Sequence, residues 1–308
     1  MKVALCFIIN YEHILKKEEI WKKWIEPNQD IINVYFYYKS IHLIKSNWIK
    51  EHALPENLIL PTSYFHIVPA YIILMNHAYL DDDENQWFCF LTDSCCPIIS
   101  PKRFRYLFYK FREKSIMNWR SSYWNIDYHK RANLRLLPEH LRLANDPWFV
   151  LSRENVEDCF QFVKNENKLA HLICIGGLAN ESIFAIILKF YGKLDKVIQY
   201  NTHAADWTRM SNATSPHNLK YGNEDDIRFI EKSLNSNNKY LIFIRKIDKD
   251  FPDGILNHFI YNYNKDEDDK LYIIDPFLTY YLLQTLAIFV ISSAVLRIIF
   301  FAYSHIMI

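Results

Sequence analysis

Two runs of β-branched and aromatic residues, 3–10 and 31–38, flank a stretch from 12 to 26 in which Ile14, Leu15, Ile20, Trp21 and Trp24 recur at helical spacing. Period-2 and short continuous apolar runs read as strands, and a 3.6-residue recurrence reads as an amphipathic helix. A strand, helix, strand order joins parallel strands by a covered crossover, so the chain is constrained from its first residues to an α/β architecture with helices on the sheet faces. Further strands are predicted at 57–60, 87–92, 148–152 and 240–244. Helices are predicted around 68–79, 154–164 and 182–191. The apolar start, residues 1–11, is too short for a secretory signal and reads as the first strand.

The content of the chain narrows the chemistry. Half of the 308 residues are hydrophobic, enough for one large α/β domain or two small ones. Lys plus Arg (36) nearly balance Asp plus Glu (35), so no whole-molecule field draws in nucleic acid, and nucleic acid is not an expected partner. Only 5 glycines occur and no GxGxxG or GxxxxGK[ST] pattern is present, which disfavours P-loop and dinucleotide sites. The six cysteines form no CxxC pair or zinc spacing, and Cys6, Cys89 and Cys174 lie in apolar runs that suit buried, reduced thiols. Between 101 and 142 basic residues alternate with aromatics, a pattern that serves either a solvated helix face or a surface for a sugar-bearing acceptor.

Some positions suggest chemistry by placement alone. Glu181 follows the glycine-containing loop 175–180 and opens an apolar helix, where a carboxylate serves as a general base or simply favours the helix N-terminus. Arg245 and Lys246 close a late apolar strand, either as a solvated pair or as fixed cations facing an anionic leaving group at the strand ends. The acidic run 81–84 precedes a strand, so it reads as an exposed turn and not as a metal site. Asp93 ends that strand alone, a weak ligand set for Mg or Mn.

In order along the chain, WFCFLTDSCCPII (87–99), WFVLSR (148–153), NESIF (180–184), ADWTR (205–209) with SPH (215–217), and FIRK (243–246) resemble the successive blocks of the core-2/I-branching β-1,6-N-acetylglucosaminyltransferases, glycosyltransferase family 14. The resemblance implies a type A glycosyltransferase fold, with a mostly parallel Rossmann-like sheet covered by helices. It also implies transfer with inversion from a UDP-sugar, most simply UDP-GlcNAc, to a hydroxyl of a glycan or glycoprotein acceptor, without metal or other cofactor. On that basis Glu181 falls on the general base, with Asn180 where the family has a first carboxylate. Lys246 falls on the diphosphate-binding lysine, and Arg209 and Arg245 compete for the phosphate-binding arginine. Ile9, Asn10, Tyr37 and Asp93 fall at the donor, and Trp207 and Arg153 at the acceptor. A non-catalytic glycan-binding protein on the same fold is the alternative that Asn180 raises.

The C-terminus stands apart. Residues 278–296 are 19 positions without a charge, a length that spans a bilayer core, and Tyr280 and Tyr281 sit near one edge. The expected organisation is a catalytic domain over 1–261, a polar linker over 262–277 and a hydrophobic helix over 278–303 that anchors the protein to a membrane. A buried terminal helix is the other reading of that segment.

Overall fold

A computed structural model describes residues 1–124, 130–210, 212, 215–271, 285 and 288. Among them are the strands β1 (Lys2–Ile8), β2 (Ile32–Tyr37), β3 (Asn85–Thr92), β4 (Cys96–Pro97), β5 (Trp119–Ser121), β6 (Leu143–Asn145), β7 (Val150–Ser152), β8 (His203–Ala205) and β9 (Phe243–Arg245). The main sheet has the order β2-β1-β3-β7. Its first three strands are parallel and β7 runs antiparallel to β3. This is the expected mixed α/β architecture with a mostly parallel sheet.

β1 shows why both faces are covered. Val3, Leu5 and Phe7 point to one side, into a core with Trp21, Trp24 and Phe243, while Ala4 and Cys6 point to the other, into a core with Leu74, Phe90 and Phe184. The second side is lined by small residues, and helix Val68–Asp81 contributes its own Ala70 and Ala78 there. Small residues on both partners let helix and strand approach closely. On the first side, Phe7 meets Trp21 edge-on at 4.9 Å and stacks on Phe36 at 4.9 Å.

A smaller sheet of order β4-β9-β8 completes the site-bearing edge. β9 runs parallel to β8 and antiparallel to β4, with Cys96 opposite Ile244. Because β4 follows the turn that leaves β3, this pairing brings the residues after β9 beside those after β3; Ile247 N–H donates to Ser94 O at 2.9 Å.

Several expected elements differ in detail. The strand expected at 57–60 is a 3-10 turn, Glu56–Leu58, because prolines at 55 and 61 withdraw backbone donors on either side. The helix expected over 12–26 begins only at Glu18, since the chain turns through His13 at φ 54°. The late strand starts at Phe243, not at 240. The segment expected as linker holds helix Lys265–Asp269, docked by Asp268, whose buried carboxylate accepts from Ser100 Oγ at 2.5 Å and pairs with Arg103 at 3.4 Å. The six cysteines are free, and all but the half-buried Cys174 are buried. Among the described residues no helix is long and apolar enough to cross a membrane. The hydrophobic helix expected over 278–303 lies outside the described residues, apart from Thr285 and Ile288.

Phe7 is fully buried between two aromatic partners at the centre of the sheet. Phe7→Ala is expected to lower stability by about 3–5 kcal/mol, the cost of an unfilled aromatic cavity, as a reduced midpoint in urea unfolding. A loss below about 1 kcal/mol would show that this face repacks freely.

Candidate active site

The carboxyl ends of β1, β2 and β3 share one edge, and open α/β sheets place ligands there. A cleft of ≈ 410 Å³ lies at that edge. Its floor is formed by the residues that leave the strands: Ile9 and Asn10 after β1, Tyr37 at the end of β2, and Asp93 after β3. Arg245 and Lys246 enter it from β9, and Glu181 from the turn before helix Ile183–Phe190.

One end of the cleft is cationic. Arg245 is 5% exposed, its guanidinium carbon lies over the Trp148 ring, 3.4 Å from its centroid, and its Nε makes no hydrogen bond among the described residues. Burial pushes the Arg245 guanidinium down from its ordinary value. Lys246 donates from Nζ to Ser215 Oγ at 2.5 Å, and burial, then the neighbouring Arg245, push its amine down. Lys16 joins them, tied to the β3 turn by its N–H to Asp93 O at 3.1 Å. The facing carboxylate is Asp93, buried, with an Oδ2 that accepts no hydrogen bond among the described residues. Burial pushes its carboxyl up, against the pull of Lys16 and Arg245. Three cations about one carboxylate leave a net positive, partly dehydrated pocket, which a bound anion would stabilise.

Glu181 lines the same cleft. It closes the 3-10 turn Ala179–Glu181, one residue before the cap of helix Ile183–Phe190, and so stands before that helix and not inside its first turn. Burial pushes the Glu181 carboxyl up, and Arg131 opposes that shift. Arg131 Nη1 meets Glu181 Oε2 at 2.5 Å. The pair depends on the backbone: Arg131 bridges Gly177, and Ala132 N–H donates to Gly177 O at 3.0 Å. A Cβ on Gly176 would lie 2.3 Å from Asn133 N and 2.6 Å from the Ala132 carbonyl carbon, so no side chain fits there. Ala132, Asn133 and Leu178 all hold left-handed φ values of 48–55° around this contact. Strain of this kind gathers where surrounding structure fixes a conformation.

Of the residues expected at the donor, Ile9, Asn10, Tyr37, Asp93, Arg245 and Lys246 line the cleft together with Glu181. Tyr37 is engaged, its hydroxyl donating to Leu60 O at 2.6 Å. Trp207 also lines the cleft and is 49% exposed. Arg209 and Arg153 are not among the lining residues. Arg209 is taken up by two buried carboxylates, Asp206 at 2.6 Å and Asp226 at 3.0 Å, and braces the loop that carries Trp207. Arg153 lies at the far end of the sheet, since β7 runs against β3 and pairs Ser152 with Trp87; it stacks on Tyr79 at 3.8 Å and donates to Asp82 O and Asn85 O. Asn180 is buried beside Glu181, and its carbonyl accepts from Asn145 Nδ2 at 3.0 Å.

Sequence reasoning missed Lys16, Arg131, Trp148 as the platform under Arg245, and the Arg120–Asp146 pair at 3.0 Å, which also lines the cleft. The adjacent Gly176-Gly177 in a chain with five glycines was the available signal for the Arg131 contact. Among the described residues no group of three or more His, Cys, Asp or Glu is placed to hold a metal ion.

A family model described as Core-2/I-Branching enzyme matches residues 54–231, more than half of the chain. The matched span includes Asp93, Glu181 and Trp207 and ends before Arg245 and Lys246. No curated protein matches the chain.

Gly176→Ala is expected to destabilise the protein by about 1–3 kcal/mol, because the new methyl meets backbone and not a side chain that could swing away. Thermal unfolding checks it; an unchanged midpoint would mean that the 131–134 segment moves aside without loss.

Proposed function

This chain belongs to the Core-2/I-Branching enzyme family, a family of glycosyltransferases, and from that premise we propose that it transfers GlcNAc from UDP-GlcNAc to a hydroxyl of an acceptor glycan, with inversion and without a metal ion. The observation that carries this reading is a single cleft lined at once by a half-buried carboxylate, Glu181, and by the cations Lys16, Arg245 and Lys246. A sugar nucleotide needs both ends: a base for the incoming hydroxyl and positive charge for the departing diphosphate.

In the proposed reaction the acceptor hydroxyl oxygen attacks the anomeric carbon of the donor and its proton passes to Glu181. The bond from that carbon to the β-phosphate oxygen breaks, and the electron pair leaves with UDP. Lys246 and Arg245, with Lys16, hold the diphosphate as its charge grows, the role that a divalent ion fills in other sugar transferases. Arg245 is oriented beforehand by its stacking on Trp148, so little reorganisation is needed at the moment of transfer. The uridine would lie over Ile9, Asn10 and Tyr37, and Trp207 would offer a face to the acceptor ring. A glycan-binding protein without turnover is the less favoured reading, since the cleft retains a carboxylate at the base position although Asn180 replaces the acid before it.

Glu181→Gln is expected to leave UDP binding intact and to lower UDP release from UDP-GlcNAc by about 10²- to 10⁴-fold, the usual share of a general base. Wild-type turnover in that variant would return Glu181 to a purely structural role. The reacting form of Glu181 is the ionised one, so activity should fall as pH drops through its raised pKa, on the alkaline side of the ordinary carboxylate range. Turnover is also expected to persist in EDTA; loss on chelation with recovery on Mn addition would contradict the metal-independent part of the reading.

A further inference from the structure

A half-buried carboxylate that must act as a base faces a conflict, because the desolvation that sharpens its basicity also favours its protonated form. We infer that Arg131 resolves this conflict and is the positioning residue that keeps Glu181 ionised and fixed at the cleft wall. The inference rests on the reading of Glu181 as the base.

Among the described residues, the charged and titratable groups facing Glu181 are Arg131, Arg120, Asp146 and Tyr71. Tyr71 is buried and its hydroxyl donates to Pro147 O at 2.9 Å. Arg120 is held by Asp146 at 3.0 Å and lies over the Tyr123 ring at 4.9 Å, so these two charges largely offset each other at Glu181. Arg131 is the guanidinium that hydrogen-bonds the carboxylate directly.

Arg131 is fixed from three directions. Its backbone bridges Gly177, its guanidinium stacks on Trp124 at 4.7 Å, and its Nη1 engages Glu181 Oε2. Arg131 engages Oε2, one of the two carboxylate oxygens of Glu181. A guanidinium suits this task because it does not give up its proton at working pH. The proton taken from the acceptor therefore stays on Glu181, and Arg131 neither donates nor receives one in the transfer. An ordinary surface ion pair would not need a glycine without room for a Cβ, Gly176, and three left-handed residues beside it; here the backbone conformation is spent on a contact at the cleft wall.

The test is a carboxyl ¹³C NMR titration of the full chain carrying ¹³C-labelled glutamate, with the Glu181 signal identified by its loss in Glu181→Gln. Arg131→Gln is expected to move the Glu181 midpoint to higher pH, and Arg131→Lys is expected to restore most of the wild-type midpoint. A midpoint unchanged in Arg131→Gln, or raised equally in Arg131→Lys and Arg131→Gln, would overturn the inference. UDP release from UDP-GlcNAc with water as acceptor gives the second readout: on the acid side Arg131→Gln should lose about tenfold or more relative to wild type, converging with it as pH rises. Parallel profiles that never converge would show a merely structural role. Full turnover in Glu181→Gln would instead remove the reading of Glu181 as base, whatever the midpoints do, so the two failures are distinguishable.

Discussion

Positive charge held at the carboxyl edge of a mainly parallel sheet is the constraint on which the rest of this site depends. Arg245 and Lys246 leave β9 into a pocket where water cannot fully solvate them, and that burial lowers the proton affinity of both. One buried carboxylate, Asp93, does not balance them together with Lys16. Burial of unbalanced charge is unfavourable in the free protein and favourable once an anion arrives, so the pocket is built for a ligand and not for its own stability. The sheet supplies the rigidity: β9 is pinned to β4, β4 follows the β3 turn, and Trp148 lies under Arg245.

Glu181 sits across the same cleft but is positioned by different means. No strand delivers it; a 3-10 turn does, and that turn is held by the unusual approach of residues 131–134 to Gly176 and Gly177. The cations and the proposed base are thus carried by separate pieces of structure, joined through β3, β7 and the Trp148 corner.

The parts legible in the sequence are those with a local signal. The β1, helix, β2 unit announced itself through period and β-branched content, and Glu181 and Lys246 stood out because each closes or opens an apolar run. Lys16 was hidden inside a stretch that reads as helix but turns instead at His13. Arg131 was one of many basic residues between 101 and 142, and its partner is 50 positions away. Arg209 looked like a phosphate ligand by its block, yet its two carboxylate partners include Asp226, which no local pattern connects to it. The strands β4, β5, β6 and β8, of two or three residues each, are too short to carry a period.

The most direct measurement is calorimetric titration of UDP into the full chain in the presence of EDTA, for the wild type and for Lys246→Ala. Binding that persists under chelation and weakens at least about tenfold in Lys246→Ala, as expected for loss of a charge-assisted contact to phosphate, is the result that the cationic cleft requires. Equal UDP affinity in the two proteins, or binding that appears only when a divalent metal is supplied, would contradict it.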